Sequence, residues 1–283
     1  MATTQRGAVR GTLGKARVTV VEDGVARSRR ERVVTEEPME IRAAGPGQEP
    51  VSVAVTMRTP GADMELAAGF LFTEGLLRSA DEIVTMRYCG VDEPVEQRFN
   101  VVTVELRRPF ELGVLARNFS ATSSCGICGK ASIDQVEVRT EPVSPGPVVD
   151  PDLLESLPGL LREGQELFEA TGGLHAVGLF DTDGSLVALR EDVGRHNAMD
   201  KLVGHELLEG RLPASGRIVL VSGRASFELV QKAAVAGIPI FCAVSAPSTL
   251  AVETARRLGV TLVAFLRDRR FTVYAHPERL ALP

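Results

Sequence analysis

IVLVSGRASFELVQKAAVAGIPIFCAVSAPSTLAVETARRLGVTLVAFL, residues 218–266, alternates short apolar runs with longer amphipathic ones. It predicts a strand over Ile218–Val221, a helix over Ala225–Ala236, a strand over Pro239–Val244, a helix over Ser248–Leu258 and a strand over Val260–Leu266. Strands this short and this uniformly apolar suit burial on both faces of a sheet. A β-α-β-α-β order implies parallel strands with right-handed crossovers, covered by helices.

Outward from that run, Leu174–Phe180 and Ser185–Leu189 read as strands joined by the turn Asp181-Thr-Asp-Gly184. A polar loop, Arg190–Asn197, leads into a helix that ends near Gly210. Residues 141–151 hold Pro142, Pro145, Gly146, Pro147 and Pro151, a linker composition, and Asp150-Pro151 reads as a helix cap followed by its first residue. In the first half Val51, Val53 and Val55 alternate as in a strand. Thr59-Pro-Gly-Ala-Asp63 is a turn into a helix through Leu66, Ala67, Phe70 and Leu71. Ile83–Tyr88 and Asn100–Leu106 read as two more strands. The expected fold class is α/β, with a smaller α+β domain ahead of a three-layer α/β one: a basic N-terminal arm with a first strand (1–35), an α+β domain with the cysteine loop at its end (36–140), a Pro-rich linker (141–151) and an α/β domain (152–283).

The chain has 283 residues, 44% hydrophobic and 24% charged, enough apolar material for one large domain or two modest ones. A net charge of −5 gives no bulk attraction to nucleic acid or an anionic membrane. The richest apolar stretch, Ala233–Ala246, is too short to span a bilayer and contains Pro239. Arg6, Arg10, Lys15, Arg17, Arg27, Arg29 and Arg30 precede no apolar block, so they form no secretory signal. Four cysteines, Cys89, Cys125, Cys128 and Cys242, make no disulfide framework, and the cytoplasm is the expected location.

The most informative segment is Thr122-Ser-Ser-Cys125-Gly-Ile-Cys128-Gly-Lys130. A thiolate, not a thiol, attacks sulfur, and loop amides, a helix N-terminus and Lys130 each favour the anion. Gly126 and Gly129 leave room for a bulky partner. The first cysteine of a C-x-x-C pair is usually the more accessible, which makes Cys125 the nucleophile and Cys128 its relay. Three other readings stand beside this one: a structural zinc site completed by Cys89 and His175, a thioredoxin-type redox site, and two packing thiols. A second C-x-x-C and a close His pair are absent from the sequence, so no structural metal is expected.

Parallel sheets place ligands beyond the carboxyl ends of their strands. The loops expected there are Ser222-Gly223-Arg224-Ala-Ser226, Ser245-Ala-Pro-Ser248-Thr249 and Arg267-Asp268-Arg269-Arg270. The first two offer amides and hydroxyls at helix starts, and the third offers three guanidinium groups for a diphosphate. Arg195 and His196, in Glu191-Asp-Val-Gly194-Arg195-His196-Asn197, could meet an anion or a pterin edge. Cys89 and Cys242 sit in apolar strands and read as packing.

Cys125-Gly-Ile-Cys128-Gly, Gly173-Leu-His175-Ala, the Glu191–Asn197 motif and Ser222-Gly-Arg224, in that order, resemble the formate dehydrogenase accessory sulfurtransferase family of FdhD type, from about Val51 to Leu280. The resemblance implies a sulfur carrier between a cysteine desulfurase and the bis-molybdopterin guanine dinucleotide form of the molybdenum cofactor, acting before that cofactor enters formate dehydrogenase. It implies that Cys125 carries the persulfide and that Phe265, Leu266, Arg267, Asp268, Arg269 and Arg270 bind the cofactor, with Arg195, His196, Ser222, Gly223, Arg224 and Ser245 nearby. It also implies a homodimer with a cytidine-deaminase-like second half. A zinc deaminase carries H-x-E followed by P-C-x-x-C. Here Val177 holds the glutamate position, Ser124 precedes Cys125, and the cysteines come before the histidine, so deamination is excluded. The rival from another class is a cofactor chaperone that transfers no sulfur.

Overall fold

The computed structural model describes residues 11–88, 99–110 and 140–282. Cys89 and the whole Cys125–Cys128 loop lie outside the described residues. Twelve strands and six α-helices are assigned within them.

β1 (Leu13–Glu22) and β2 (Val25–Val34) form a two-stranded antiparallel hairpin. Its two-residue turn, Asp23-Gly24, has φ of +51° and +78°, the geometry that matches strand twist in a tight hairpin. The sequence led us to expect a loose arm with one strand over residues 1–35. The alternation along these strands is between cations and small or β-branched residues rather than polar and apolar ones, which hid the second strand.

β3 (Glu37–Ala44), β4 (Val51–Arg58), β5 (Ile83–Tyr88) and β6 (Val101–Leu106) form a sheet in the order β4-β3-β6-β5, with β3 and β6 parallel. One face carries Met39, Ile41, Val53, Val102 and Val104, all fully buried against Leu66 and Leu71 of α1 (Asp63–Thr73). Val102, Val104 and Leu106 therefore share a buried face, as their spacing predicts. The turn before α1 is pinned by Arg58, 1% exposed, which donates from Nε and Nη2 to the Asp63 carboxylate at 3.0 Å each.

The larger sheet runs β12-β11-β10-β9-β7-β8. Its strands are β7 (His175–Phe180), β8 (Leu186–Asp192), β9 (Ile218–Val221), β10 (Ile240–Ala243), β11 (Thr261–Arg267) and β12 (Arg270–Ala275). β9, β10 and β11 are parallel, as the 218–266 run predicts, while β7 and β12 lie antiparallel to their neighbours. The period of two sends Ile218 and Leu220 to one face and Val219 and Val221 to the other, all within 2% exposure. The first pair packs under α2 (Pro151–Gly164). The second packs under α4 (Arg195–Leu208), α5 (Phe227–Val235) and α6 (Thr249–Leu258). The result is three layers, α/β/α. Cys242 is fully buried in the α2 core, where burial pushes its thiol pKa up, so it is a packing residue. Asp150 caps α2 by accepting from the Asp152 amide at 2.9 Å, with Pro151 as the first helical residue.

β12 was not expected. The residues between β11 and β12, Asp268 and Arg269, have φ of +53° and +56°, so the connection is a tight hairpin built without glycine. Among the described residues, no helix is long and apolar enough to cross a membrane.

Candidate functional site

Because β8, β9, β10 and β11 run the same way and β7 runs against them, five positions meet at one edge of the large sheet. They are the start of β7 at His175 and the ends of β8, β9, β10 and β11. The loops there are stitched together by backbone bonds. Ser222 N donates to Ala176 O at 2.9 Å, Ser245 N to Gly223 O at 3.2 Å, and Phe265 N to Ser245 O at 3.2 Å. Ala225 N donates to Ala246 O, and Ser248 N to Ala225 O. The first two loops picked out in the sequence are therefore bonded to one another and to β11 at Phe265, two residues before the third, and together they form a rim. Phe265 reaches it through a bulge between β11 and β12, at φ +54°. Phe265, Asp268 and Arg269 concentrate three left-handed non-glycine residues in five positions, and such strain gathers at binding sites.

The Glu191–Asn197 segment is not the polar loop expected, because β8 continues through Asp192 and α4 begins at Arg195. Its residues divide into two roles. Asp192 is fully buried. It accepts from Thr59 N at 3.1 Å, Gly194 N at 2.8 Å and Asn197 Nδ2 at 3.1 Å, and pairs with Lys201 Nζ at 2.6 Å. Lys201 also donates to Thr59 O and Asn197 to Met57 O, which ties the small sheet to α4. Glu191 accepts the Leu167 and Phe168 amides at the start of α3 (Glu166–Thr171), and burial pushes its carboxyl pKa up against those two bonds. These are framework residues.

Arg195 and His196 face the rim instead. Arg195 opens α4 in a first turn without an acidic residue, and its buried Nε has no hydrogen-bond partner among the described residues. His196, 7% exposed, places Nε2 at 3.3 Å from Ser226 Oγ. Ser248 is an ordinary cap, accepting from Ala251 N at 3.2 Å, whereas Ser226 makes no cap bond to α5. Ser222 Oγ accepts from Ala176 N at 2.9 Å. His175 is half-buried, and burial holds its pKa below the usual imidazole value. The charges of Arg195 and Arg224 act the same way, and Asp192 opposes them. The edge thus favours the neutral form of an imidazole set among guanidinium groups.

Two hollows open on this rim. One of about 550 Å³ is lined by Gly173, His175, Ser222, Val244, Arg162 and Phe168, with the Arg162 guanidinium 4.4 Å above the Phe168 ring. The other, of about 480 Å³, is lined by Phe265, Arg267, Asp268, Arg270, Thr272 and Tyr274. Arg224, Arg267 and Arg270 are exposed, and among the described residues they make no ion pairs. Arg269 lies 3.4 Å from Glu155. Leu266 is fully buried in the α2 core, so only its backbone belongs to the rim. Thr272 and Tyr274 were missed because β12 was missed.

Among the described residues, no cluster of three His, Cys, Asp or Glu side chains could hold a metal ion. The guanidinium field around His175 also opposes a cation. The rim offers amides, hydroxyls and arginines as donors, the groups that bind phosphate at helix starts and strand ends.

Residues 34–281 match the model of the FdhD/NarQ family. The chain belongs to that family. It is 50% identical over 255 residues to the sulfur carrier protein FdhD of Nocardia farcinica, covering 89% of each chain. It is 49% identical to the FdhD of Mycolicibacterium paratuberculosis, over 94% of this chain and 98% of that one. With the FdhD of Streptomyces avermitilis it shares 50% identity over 95% of both. Its fold is similar to the crystal structure of a protein assigned as a formate dehydrogenase accessory protein from Desulfotalea psychrophila. That similarity has a TM-score of 0.71 and 27% identity, over 95% of this chain and all of that one. FdhD/NarQ membership thus spans both sheets and the rim, and it begins at the last residue of β2.

Proposed function

We propose that this chain is a cytoplasmic, homodimeric sulfur carrier that holds sulfur as a persulfide on Cys125 and delivers it to the molybdenum cofactor of formate dehydrogenase. The observation that carries the reading is half identity, over nearly the full length, to proteins named sulfur carriers. The arginine-rich rim supports it, because a guanine dinucleotide cofactor brings the diphosphates and planar rings such an edge can hold.

In the first hand-off the Cys125 thiolate attacks the terminal sulfur of a cysteine desulfurase persulfide. A new S–S bond forms, the desulfurase cysteine leaves as thiolate, and Cys125 becomes Cys125–S–SH. In the second, the Cys128 thiolate attacks the inner sulfur. A Cys125–Cys128 disulfide forms and hydrosulfide departs, already reduced by the two electrons that metal ligation requires. A thiol reductant then restores the pair.

Intact-protein mass spectrometry after incubation with a cysteine desulfurase and cysteine tests the carrier role. We expect one reducible sulfur on the wild type and none on Cys125→Ala. No gain on the wild type, with the desulfurase demonstrably loaded, would move the reading to a cofactor chaperone without sulfur chemistry. Full transfer by Cys128→Ala would remove the second hand-off alone.

A further inference from the structure

Opposed residues in an antiparallel pair share a face. In the β1–β2 register Lys15 stands opposite Arg32, and Arg17 opposite Arg30. All four cations are exposed and lie on one face. The rest of that face is Leu13, Thr19, Val21, Ala26, Ser28 and Val34, with no carboxylate. Glu31 is on the other face, where Arg29 Nε donates to it at 2.7 Å, and Glu22 and Asp23 sit at the tip. Among the described residues none of the four cations has an ion pair. Like charges directly opposed across a ribbon repel, and a two-stranded hairpin is marginal in water even without that cost.

We infer that this cationic face is a docking surface for a carboxylate-rich patch on a partner protein. Residues 13–34 carry six Lys or Arg against three Asp or Glu, net +3 in a chain of net −5, which leaves −8 on the remainder. A duplex or an anionic bilayer extends beyond a ten-residue hairpin of about 33 Å, onto a remainder of net charge −8. A discrete acidic patch of hairpin size meets only the cations. The hairpin's foot also lies beside the rim: a Cβ on Gly173, which lines the larger hollow, would sit 3.4 Å from Val34 Cγ1. A protein held on the hairpin is therefore held next to the edge where chemistry is proposed, although the docking itself does not depend on that chemistry.

The test uses the full chain and three probes in low salt: a labelled deca-glutamate peptide, a duplex DNA of twenty base pairs, and vesicles of equal phosphatidylcholine and phosphatidylglycerol. The peptide should bind best. The variant K15Q/R17Q/R30Q/R32Q should bind it about tenfold more weakly or worse, while R27Q/R29Q, on the other face, stays within about twofold. Tighter binding of DNA or vesicles than of peptide, or equal peptide binding by the fourfold variant, overturns the proposal. Hydrogen exchange guards against misfolding: R30E/R32E, which places carboxylates opposite Arg17 and Lys15, should slow exchange of the hairpin amides and abolish peptide binding. Faster exchange in that variant would remove the repulsion on which the proposal rests.

Discussion

Gly69 of α1 and Gly204 of α4 interlock where the two helices cross. A Cβ on Gly69 would lie 1.9 Å from Asp200 O, and one on Gly204 would lie 1.8 Å from Glu65 O. Neither neighbour is a side chain that can swing away, so a methyl at either position must push the two backbones apart. Gly204→Ala should cost about 3 kcal/mol and lower the Tm by roughly 5 °C or more. A Tm within a degree of wild type would mean that the helices do not cross this closely.

That crossing also shields a buried charge cluster. Lys232, 1% exposed, donates to Asp200 Oδ1 and Oδ2 at 2.9 and 3.1 Å, to Thr73 Oγ1 at 2.9 Å and to Glu74 Oε1 at 3.3 Å. Burial pushes the Asp200 carboxyl pKa up; it pulls Lys232 down, but the surrounding carboxylates together outweigh it and push Lys232 up, so the cluster holds its protons to higher pH than the unfolded chain does. Lys232→Met leaves carboxylates buried without their cation and should cost about 3–5 kcal/mol. The sign with pH follows from linkage. A carboxyl whose folded pKa is raised adds stability below its unfolded value and loses it as pH rises through the folded one. Removing the lysine raises those values further. The deficit of the variant in chemical denaturation should therefore widen from pH 5 to pH 8, and a deficit that narrows would sink this account.

The parallel core was legible because three apolar strands and two amphipathic helices follow one another without interruption from Ile218 to Leu266. Ile83–Tyr88 was legible to the residue for the same reason of pattern. Two hairpins were not. Asp23-Gly24 is a strong tight-turn signal, but the strands beside it carry arginines where alternation normally shows apolar residues. Asp268-Arg269 makes the same kind of turn with no glycine to mark it. At the rim the loops were legible as strand ends rich in Ser, Gly and Arg. The framework role of Asp192 and Asn197 was not, because their partners Thr59 and Met57 lie more than a hundred residues away. The cysteine motif carries the chemistry in the sequence reading and lies outside the described residues.

The glycine-free turn makes its own prediction. Arg269 holds φ at +56° with its side chain 89% exposed and one contact, to Glu155 at 3.4 Å. A left-handed residue with a Cβ costs roughly 1–2 kcal/mol, of which the extra entropy of an unfolded glycine cancels part. Arg269→Gly should stabilise the protein by about 0.5–1 kcal/mol, seen as a small rise in Tm. If the same variant weakens binding of a guanine nucleotide diphosphate probe, the strain is retained for the cation it displays. A fall in Tm would mean that the Glu155 contact outweighs the backbone strain.

His175 reports directly on the guanidinium groups at the rim. Burial is the main cause of its lowered pKa, with Arg195 next, Arg224 smaller and Asp192 opposing. An imidazole with a depressed folded pKa favours the native state above its unfolded value and loses that contribution as pH falls through the folded one. A histidine-resolved NMR titration of the wild type should place His175 below 6.5, its reference value. Arg195→Gln should move it up, and Arg224→Gln should do so by less. A bound diphosphate should raise it in the wild type, since an anion offsets the same cations. A pKa that ignores both substitutions would leave burial as the whole cause and would take His175 out of the proposed anion-binding edge.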